Sequence, residues 1–507
     1  MKKKIYLILS LIFCVMFSGC NNNYGESDNT KKKFENVISM KEKLHTDYEE
    51  KISNYTESKG DGNNVLMVYI VGSNLESEAG LASLDIEELQ QSGFDNERLK
   101  VIICTGGADL WWNDDIDSDE VAVYELFSDT DELNKLTVLE NDNMADSETL
   151  TSFIDYVYDN YGADYYSMVF WNHGGGAVLG YGEDERHNYD VLTMNEFDEA
   201  FADSKLISDG HKFEWIGFDA CLMGMLEVAD LFEPYSDYLI ASEEVEAGDG
   251  WDYKCFDEIS NGSNFSGDRA GKIIIDAYAD YYDSYVWYKP EYSLSCLDLS
   301  KTDEVMNDFE TFISVVEGDL LKGKYSTIAR QRGRTKAFGI VNGSLCYDTV
   351  DLYNLTENMY LSYADEAEAL QNSLSEMVVY ERTNINNANG IAIYFPYDNK
   401  LYAGEWVDEY KLNDFSDEYM QFVVNFTETF NGEPLTTWDD ITNEDAFVTI
   451  ASDITGYDIG DLGSMGSFSV HLSDEQAANY SGASISIWEL NDGDEEYLAE
   501  GSYLLWI

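Results

Sequence analysis

Two short segments hold residue types that can perform acyl transfer together. One is Phe170-Trp171-Asn172-His173-Gly174-Gly175-Gly176; the other is Gly217-Phe218-Asp219-Ala220-Cys221-Leu222-Met223-Gly224. In each, the reactive residue follows an apolar run that reads as a buried strand. A thiolate is a strong nucleophile, but a free Cys is only a few per cent ionised near neutral pH. It needs an imidazole nearby to take its proton and to pass one to the leaving amine. The glycines after His173 permit close approach of the main chain and leave N–H groups for an oxyanion, and those of Gly174 and Cys221 are the two candidates. A glycine run after a His also builds the oxyanion hole of esterases, but that chemistry needs a G-x-S-x-G elbow, which occurs nowhere in the chain.

His173 and Cys221 lie 48 residues apart, so neighbouring strands must bring them together. In open α/β sheets, sites form at the carboxyl ends of the strands. Uninterrupted apolar runs at Val65–Val71, Leu99–Cys104, Val121–Leu126, Tyr166–Trp171, Trp215–Phe218 and Tyr238–Ala241 read as strands covered on both faces. Helical patterns at Leu81–Gln91, Glu148–Tyr161 and Met194–Ser204 separate several of them, which predicts a mostly parallel sheet with helices on both faces. Further on, helices are expected at Ala270–Trp287, Thr302–Val316, Glu366–Tyr380 and Asp417–Thr429, with strands at Ser293–Leu299 and Gly390–Phe395. Residues 431–507 are rich in carboxylates, lack Lys and Arg, and read as a small all-β appendage with a hairpin signal at Asn491-Asp492-Gly493-Asp494. The sequence stops at Leu504-Leu505-Trp506-Ile507, within a strand-like run, which suggests that this appendage is truncated.

The 507 residues include 30 basic and 99 acidic side chains, for a net charge of −69. A surface so negative repels phosphate backbones, which excludes nucleic-acid binding, and it does not favour lying on an anionic membrane. Lys2, Lys3 and Lys4 precede an apolar run, Ile5–Phe17, that is too short to span a bilayer and suits a signal peptide. It ends at Phe17-Ser18-Gly19-Cys20, which resembles a bacterial lipobox. Residues 1–19 are therefore expected to be removed and Cys20 to carry the lipid. Residues 20–63 then act as a polar tether, and the membrane is met through the N-terminal lipid only. The protein is expected to be exported and anchored at the outer surface of the cell membrane. Five further cysteines, Cys104, Cys221, Cys255, Cys296 and Cys346, show no C-x-x-C spacing. An odd number leaves at least one thiol free of any internal disulfide.

A metal is not assigned. Asp115-x-Asp117-x-Asp119 begins like an EF-hand loop, but Glu120 and Leu126 occupy the positions that need Gly and Glu. No cofactor is required by the chemistry above; Ca²⁺ would associate loosely with so acidic a surface, at no site the sequence specifies.

Residues 65–430 resemble the clostripain family of cysteine endopeptidases. The resemblance rests on Tyr69-Ile70-Val71-Gly72-Ser73-Asn74-Leu75-Glu76, Asn172-His173-Gly174-Gly175, Asp219-Ala220-Cys221-Leu222-Met223, Ala241-Ser242-Glu243-Glu244 with Gly250-Trp251, Leu297-Asp298-Leu299-Ser300 and Gly390-Ile391-Ala392-Ile393-Tyr394-Phe395-Pro396. It implies a caspase-like three-layer αβα sandwich over 64–430, a catalytic dyad of His173 and Cys221, and polypeptide substrates cut after a basic P1 residue, Arg or else Lys. Asp219 then has two compatible readings: a cap for a helix starting near Leu222, or the acid that receives the P1 cation, as in similar enzymes. Glu243 and Glu244, at the end of the following strand, are candidates for the pocket rim. Related enzymes are often activated by self-cleavage between the His and Cys strands. There, Gly180–Tyr189 reads as an exposed loop, and Arg186 marks the expected cut. The competing reading, a non-catalytic surface binding lipoprotein on a peptidase scaffold, is disfavoured by the intact His173, Cys221 and glycine run.

Overall fold

The computed structural model describes residues 62–428, apart from 131–132, 263, 286–289, 341–346 and 399–402, together with four three-residue strands between 483 and 505. The signal segment, Cys20, the tether, Cys346 and most of the C-terminal appendage lie outside the described residues.

Fourteen strands precede residue 400: β1 (Asn64–Val71), β2 (Leu99–Gly106), β3 (Ala122–Leu126), β4 (Leu133–Val138), β5 (Tyr165–Trp171), β6 (Tyr181–Asp184), β7 (Asp190–Leu192), β8 (Trp215–Asp219), β9 (Tyr238–Ala241), β10 (Ser293–Asp298), β11 (Ala337–Phe338), β12 (Thr349–Asp351), β13 (Val378–Thr383) and β14 (Ala392–Tyr394). Nine of them form one sheet in the order β13-β10-β9-β8-β5-β1-β2-β3-β4. Its centre, β9-β8-β5-β1-β2, is parallel throughout. The margins are antiparallel, with β3 and β4 on one side and β10 and β13 on the other.

Alternation along β1 shows why the sheet is covered twice. Val65, Met67, Tyr69 and Val71 enter one core, with the helices Ser147–Asn160, Met194–Asp203 and Leu226–Phe232. Leu66, Val68 and Ile70 are equally buried but stand outside that cluster. They point to the other face, because successive side chains of a strand alternate. The helices Leu81–Gln91 and Gly267–Asp283 bury their apolar residues away from the first cluster as well. The expected αβα sandwich is therefore present.

Several element assignments change. Val121–Leu126 belongs to an antiparallel hairpin, not to a parallel crossover, since no helix intervenes between β2 and β3. The helix expected over Glu366–Tyr380 ends at Met377, and Val378-Val379-Tyr380 open β13 on the sheet margin, where branched and aromatic side chains favour extension. Gly390–Phe395 supplies β14 of a separate three-stranded sheet, β11-β12-β14. In the C-terminal part, Trp488–Leu490 pairs antiparallel with Glu496–Leu498 across the Asn491–Asp494 signal, and Ala483–Ile485 pairs with Tyr503–Leu505. Among the described residues no helix is long and apolar enough to cross a membrane.

Candidate active site

β5 and β8 are adjacent and parallel, with Trp171 opposite Asp219. The register continues one step beyond the sheet, where Asn172 N–H donates to the Asp219 carbonyl at 3.3 Å. His173 and Cys221, each two residues past these partners, therefore leave the sheet side by side. Gly174 lies so close to the nucleophile that a Cβ there would come within 2.1 Å of the Cys221 carbonyl oxygen. The chain turns sharply after Cys221, where Leu222 takes a φ of +64°. That conformation is uncommon for a side chain of this size, and it ends strand geometry directly beyond the thiol. No helix begins at Leu222; the next runs Leu226–Phe232. The capping role considered for Asp219 is thus corrected, because its carboxylate bonds elsewhere.

His173 Nε2 is 2.9 Å from Asn74 Oδ1, which also accepts from Ser73 Oγ at 3.3 Å. With that oxygen as acceptor, Nε2 carries the ring proton and Nδ1 is the basic nitrogen. Burial lowers the His173 pKa to about 4. The half-buried Cys221 thiol is pushed up to about 12, first by burial and then by the carboxyls of Glu246 and Glu244, against the lowering effect of hydrogen bonds from the Glu246 and Gly174 backbone. At neutral pH the resting pair is a thiol and a neutral imidazole. No thiolate–imidazolium pair is formed at rest.

Near the thiol lies a cluster of buried acids. Asp219, 5% exposed, accepts from Trp251 N–H at 3.2 Å and from the Tyr253 hydroxyl at 2.9 Å. Asp85 accepts from Trp171 Nε1 at 2.6 Å. Both carboxylates converge on Gly250, where a Cβ would meet Asp219 Oδ2 at 3.0 Å and Asp85 Oδ2 at 3.3 Å. Burial raises the Asp219 pKa, with nearby carboxylate charge adding to it and the Trp251 and Tyr253 bonds opposing. Among the described residues no Lys or Arg pairs with either carboxylate.

The two glutamates expected at the rim do not join this cluster. Glu243 is fully buried and accepts from Ser293 Oγ and Gly390 N–H, each at 2.9 Å. Glu244 accepts from Gly339 N–H at 2.8 Å and pairs with Lys336 at 3.6 Å. The strand places them one turn too early: they tie β9 to the β11-β12-β14 sheet. The expected loop around Arg186 is exposed but shorter than Gly180–Tyr189. Tyr181–Asp184 and Asp190–Leu192 pair as a hairpin, and Glu185–His187 forms a 3₁₀ turn whose Arg186 and His187 N–H groups both donate to Asp184 Oδ1. Arg186 itself bonds Ser118 O and Asp119 Oδ1.

Sequence reasoning passed over two residues that touch the dyad. Asn74 lies in the short helix Ser73–Ala79 that follows β1, where its oxygen meets the imidazole, but nothing in the local pattern points to His173. Glu246 N–H donates to Cys221 Sγ at 3.3 Å, from a loop with no periodicity to place it. The described cysteines, Cys104, Cys221, Cys255 and Cys296, are all free thiols, and among the described residues no three His, Cys, Asp or Glu side chains are grouped to hold a metal ion.

Comparison with known proteins identifies the family. The model of the clostripain family, peptidase C11, matches residues 68–430. Clostripain from Hathewaya histolytica is 26% identical over 422 residues, which cover 68% of this chain and 77% of that protein. An inactive zymogen C11 protease from Parabacteroides distasonis has the same fold, with a TM-score of 0.51 and 21% identity over 69% of this chain and 99% of its own. A secreted C11 cysteine protease from Bacteroides thetaiotaomicron, solved with an irreversible peptide inhibitor, gives a TM-score of 0.48 at 17% identity, over 69% and 99% of the two chains. The chain belongs to the clostripain family and is a cysteine-type endopeptidase.

Proposed function

We propose that this endopeptidase uses His173 and Cys221 to cleave polypeptides after Arg, and less readily after Lys, while anchored by a lipid at Cys20 to the outer face of the cell membrane. The observation that carries this reading is the register of β5 and β8, which sets the thiol, the imidazole and a buried acid without a basic partner at adjoining strand ends. In the reaction, Cys221 Sγ attacks the scissile carbonyl carbon as His173 takes the thiol proton. The oxyanion is held by the N–H groups of Gly174 and Cys221. Collapse breaks the C–N bond and His173 returns the proton to the leaving amine. Water then attacks the thioester, gives a proton to His173, and releases the acid and the thiol. The guanidinium of P1 enters beside Asp219, and a planar fork on a desolvated carboxylate favours Arg over Lys.

The lipobox ending at Cys20 supports anchoring, and residues 20–63 are long enough to hold the peptidase clear of the lipid headgroups. The negative surface suits work outside the cell on cationic polypeptides rather than on nucleic acid. A cut after Arg186 is proposed as self-processing. One experiment addresses the chemistry: a peptidyl-arginine chloromethyl ketone should add once to the wild type, on the tryptic peptide holding Cys221, and not at all to Cys221→Ala. Labelling at another cysteine would overturn the assignment. Fatty-acid labelling lost in Cys20→Ala would support the anchor, and labelling retained there would remove it.

A further inference from the structure

The loop after β9 passes directly over the nucleophile. Glu246 N–H donates to Cys221 Sγ at 3.3 Å, and the thiol lies 3.9 Å from the Glu246 carbonyl oxygen. The side chain turns inward, and both of its carboxyl oxygens are buried and receive no hydrogen bond from a donor group. Its polar neighbours are the carboxyl of Asp219 and the indole of Trp251. Two adjacent buried carboxyls cannot both ionise without a cation between them, so the pair retains one proton. Among the described residues no Lys or Arg pairs with Glu246. The loop is pinned from behind: the Tyr282 hydroxyl donates to the carbonyls of Ala247 at 3.2 Å and Gly250 at 3.0 Å, and the Tyr281 hydroxyl to Asp249 at 3.1 Å. The carboxyl is thus held beside the Cys221 thiol with no cation among the described residues to balance it.

We propose that Glu246 is the second carboxylate of the P1 pocket, and that Asp219 and Glu246 clasp the cationic head of the P1 side chain in place of the proton they share when the pocket is empty. The proposal rests on the basic-P1 reading above and adds a residue and a proton to it. Binding of the guanidinium ionises both acids and releases one proton to solvent, so charge balances: one cation enters and one leaves. Acid competes with the substrate for the pair, and KM for an Arg substrate rises as pH falls. The groups that face Glu246 are Asp219 at the end of β8, Cys221 beyond it, Tyr253 behind them, and Tyr278 and Tyr282 on the helix Gly267–Asp283. Asp85, on the helix Leu81–Gln91, faces Asp219. The phenols have pKa values raised above their usual range, which leaves the carboxyls as the groups that release the proton.

The test compares peptides that differ only at P1, carrying Arg, Lys or citrulline, the neutral isostere of Arg. Values of kcat and KM are measured from about pH 5 to 8 for wild type, Glu246→Gln, Glu246→Asp and Asp219→Asn. Iodoacetamide titration of Cys221 and thermal melts check that each variant is folded. Glu246→Gln is expected to lose about 30-fold in kcat/KM on Arg, mostly in KM, the low end for removing one partner of a desolvated pair. On citrulline it should stay within about twofold of wild type, its KM on Arg should lose the acid-side rise, and Glu246→Asp should recover part of the loss. An equal loss on Arg and citrulline would assign Glu246 a structural role, and a gain on Arg would make it a plug; either overturns the proposal. If Asp219→Asn loses its Arg preference while Glu246→Gln keeps it, this inference alone fails. A wild type that does not prefer Arg to citrulline removes the basic-P1 reading, and this inference with it.

Discussion

Gly174→Ala isolates the geometry on which the dyad depends. A methyl group at that position would lie 2.1 Å from the Cys221 carbonyl oxygen and 3.1 Å from its carbonyl carbon. The obstacle is backbone, so no rotamer change relieves it. The turns after β5 and β8 must part by about 0.9 Å to bring the closest contact out to the 3.0 Å below which real Cβ contacts essentially never occur. A displacement of about 1 Å in a reacting constellation costs on the order of 100-fold in rate. The same shift carries the Gly174 N–H away from the oxyanion, which acts in the same direction. Gly174→Ala should therefore lower kcat on an Arg-P1 peptide about 100-fold, while KM changes little because Asp219 is not displaced. Overpacking of this kind costs about 1–3 kcal/mol, which the large core should tolerate with a lower melting temperature. The assay is steady-state hydrolysis beside a melt of the same preparation. A kcat within about twofold of wild type would refute the reasoning.

Three further outcomes follow from the electrostatics and the turns. Because the Cys221 thiol is pushed up to about 12 and His173 down to about 4, alkylation of the substrate-free enzyme by iodoacetamide should keep accelerating above neutral pH; a plateau reached near pH 6–7 would show a thiolate–imidazolium pair instead. Glu243 and Asp351 are fully buried, and both have pKa values raised by burial. A raised carboxyl pKa stabilises the fold at low pH and loses that contribution as pH climbs through the folded value. Glu243→Gln should thus melt higher than wild type at about pH 8, with the difference vanishing near pH 4; a variant that melts lower at both would contradict a burial-raised Glu243. Purified wild type should contain a fragment ending at Arg186 that Cys221→Ala lacks. Since the Arg186 and His187 N–H groups are both tied to Asp184 Oδ1, Asp184→Asn should hasten that cut, and an intact, active wild-type chain would remove the idea.

The chemistry was legible because the fold places it by register. Two apolar runs ending in a glycine-flanked His and in Cys are enough to predict neighbouring strand ends, and β5 and β8 are adjacent. The sheet margins were less legible, because antiparallel edge strands such as β3 and β13 carry no crossover helix to announce them. Glu243 and Glu244 show another limit. Sequence placed an acid at the end of β9, but whether a side chain faces the pocket or the β12 side depends on a loop whose path has no period. Two or three residues further on, Glu246 reaches the thiol. Around Arg186 the exposed connection was legible but its flanking strands were not: it joins a hairpin whose Tyr181 is buried among Phe170, Phe197 and Phe218. Asn74 was invisible as a partner of His173 because 99 residues separate them and only the β1–β5 pairing joins them.

The most direct measurement is hydrolysis of a panel of peptides varied only at P1, by wild type, Cys221→Ala and Asp219→Asn under reducing conditions. The account predicts that wild type cuts after Arg most rapidly and after Lys more slowly. Cys221→Ala should cut nothing, and Asp219→Asn should lose its preference for the basic residues while still alkylating at Cys221. Cleavage that survives in Cys221→Ala, or a wild type whose preferred P1 residue is uncharged, would contradict it.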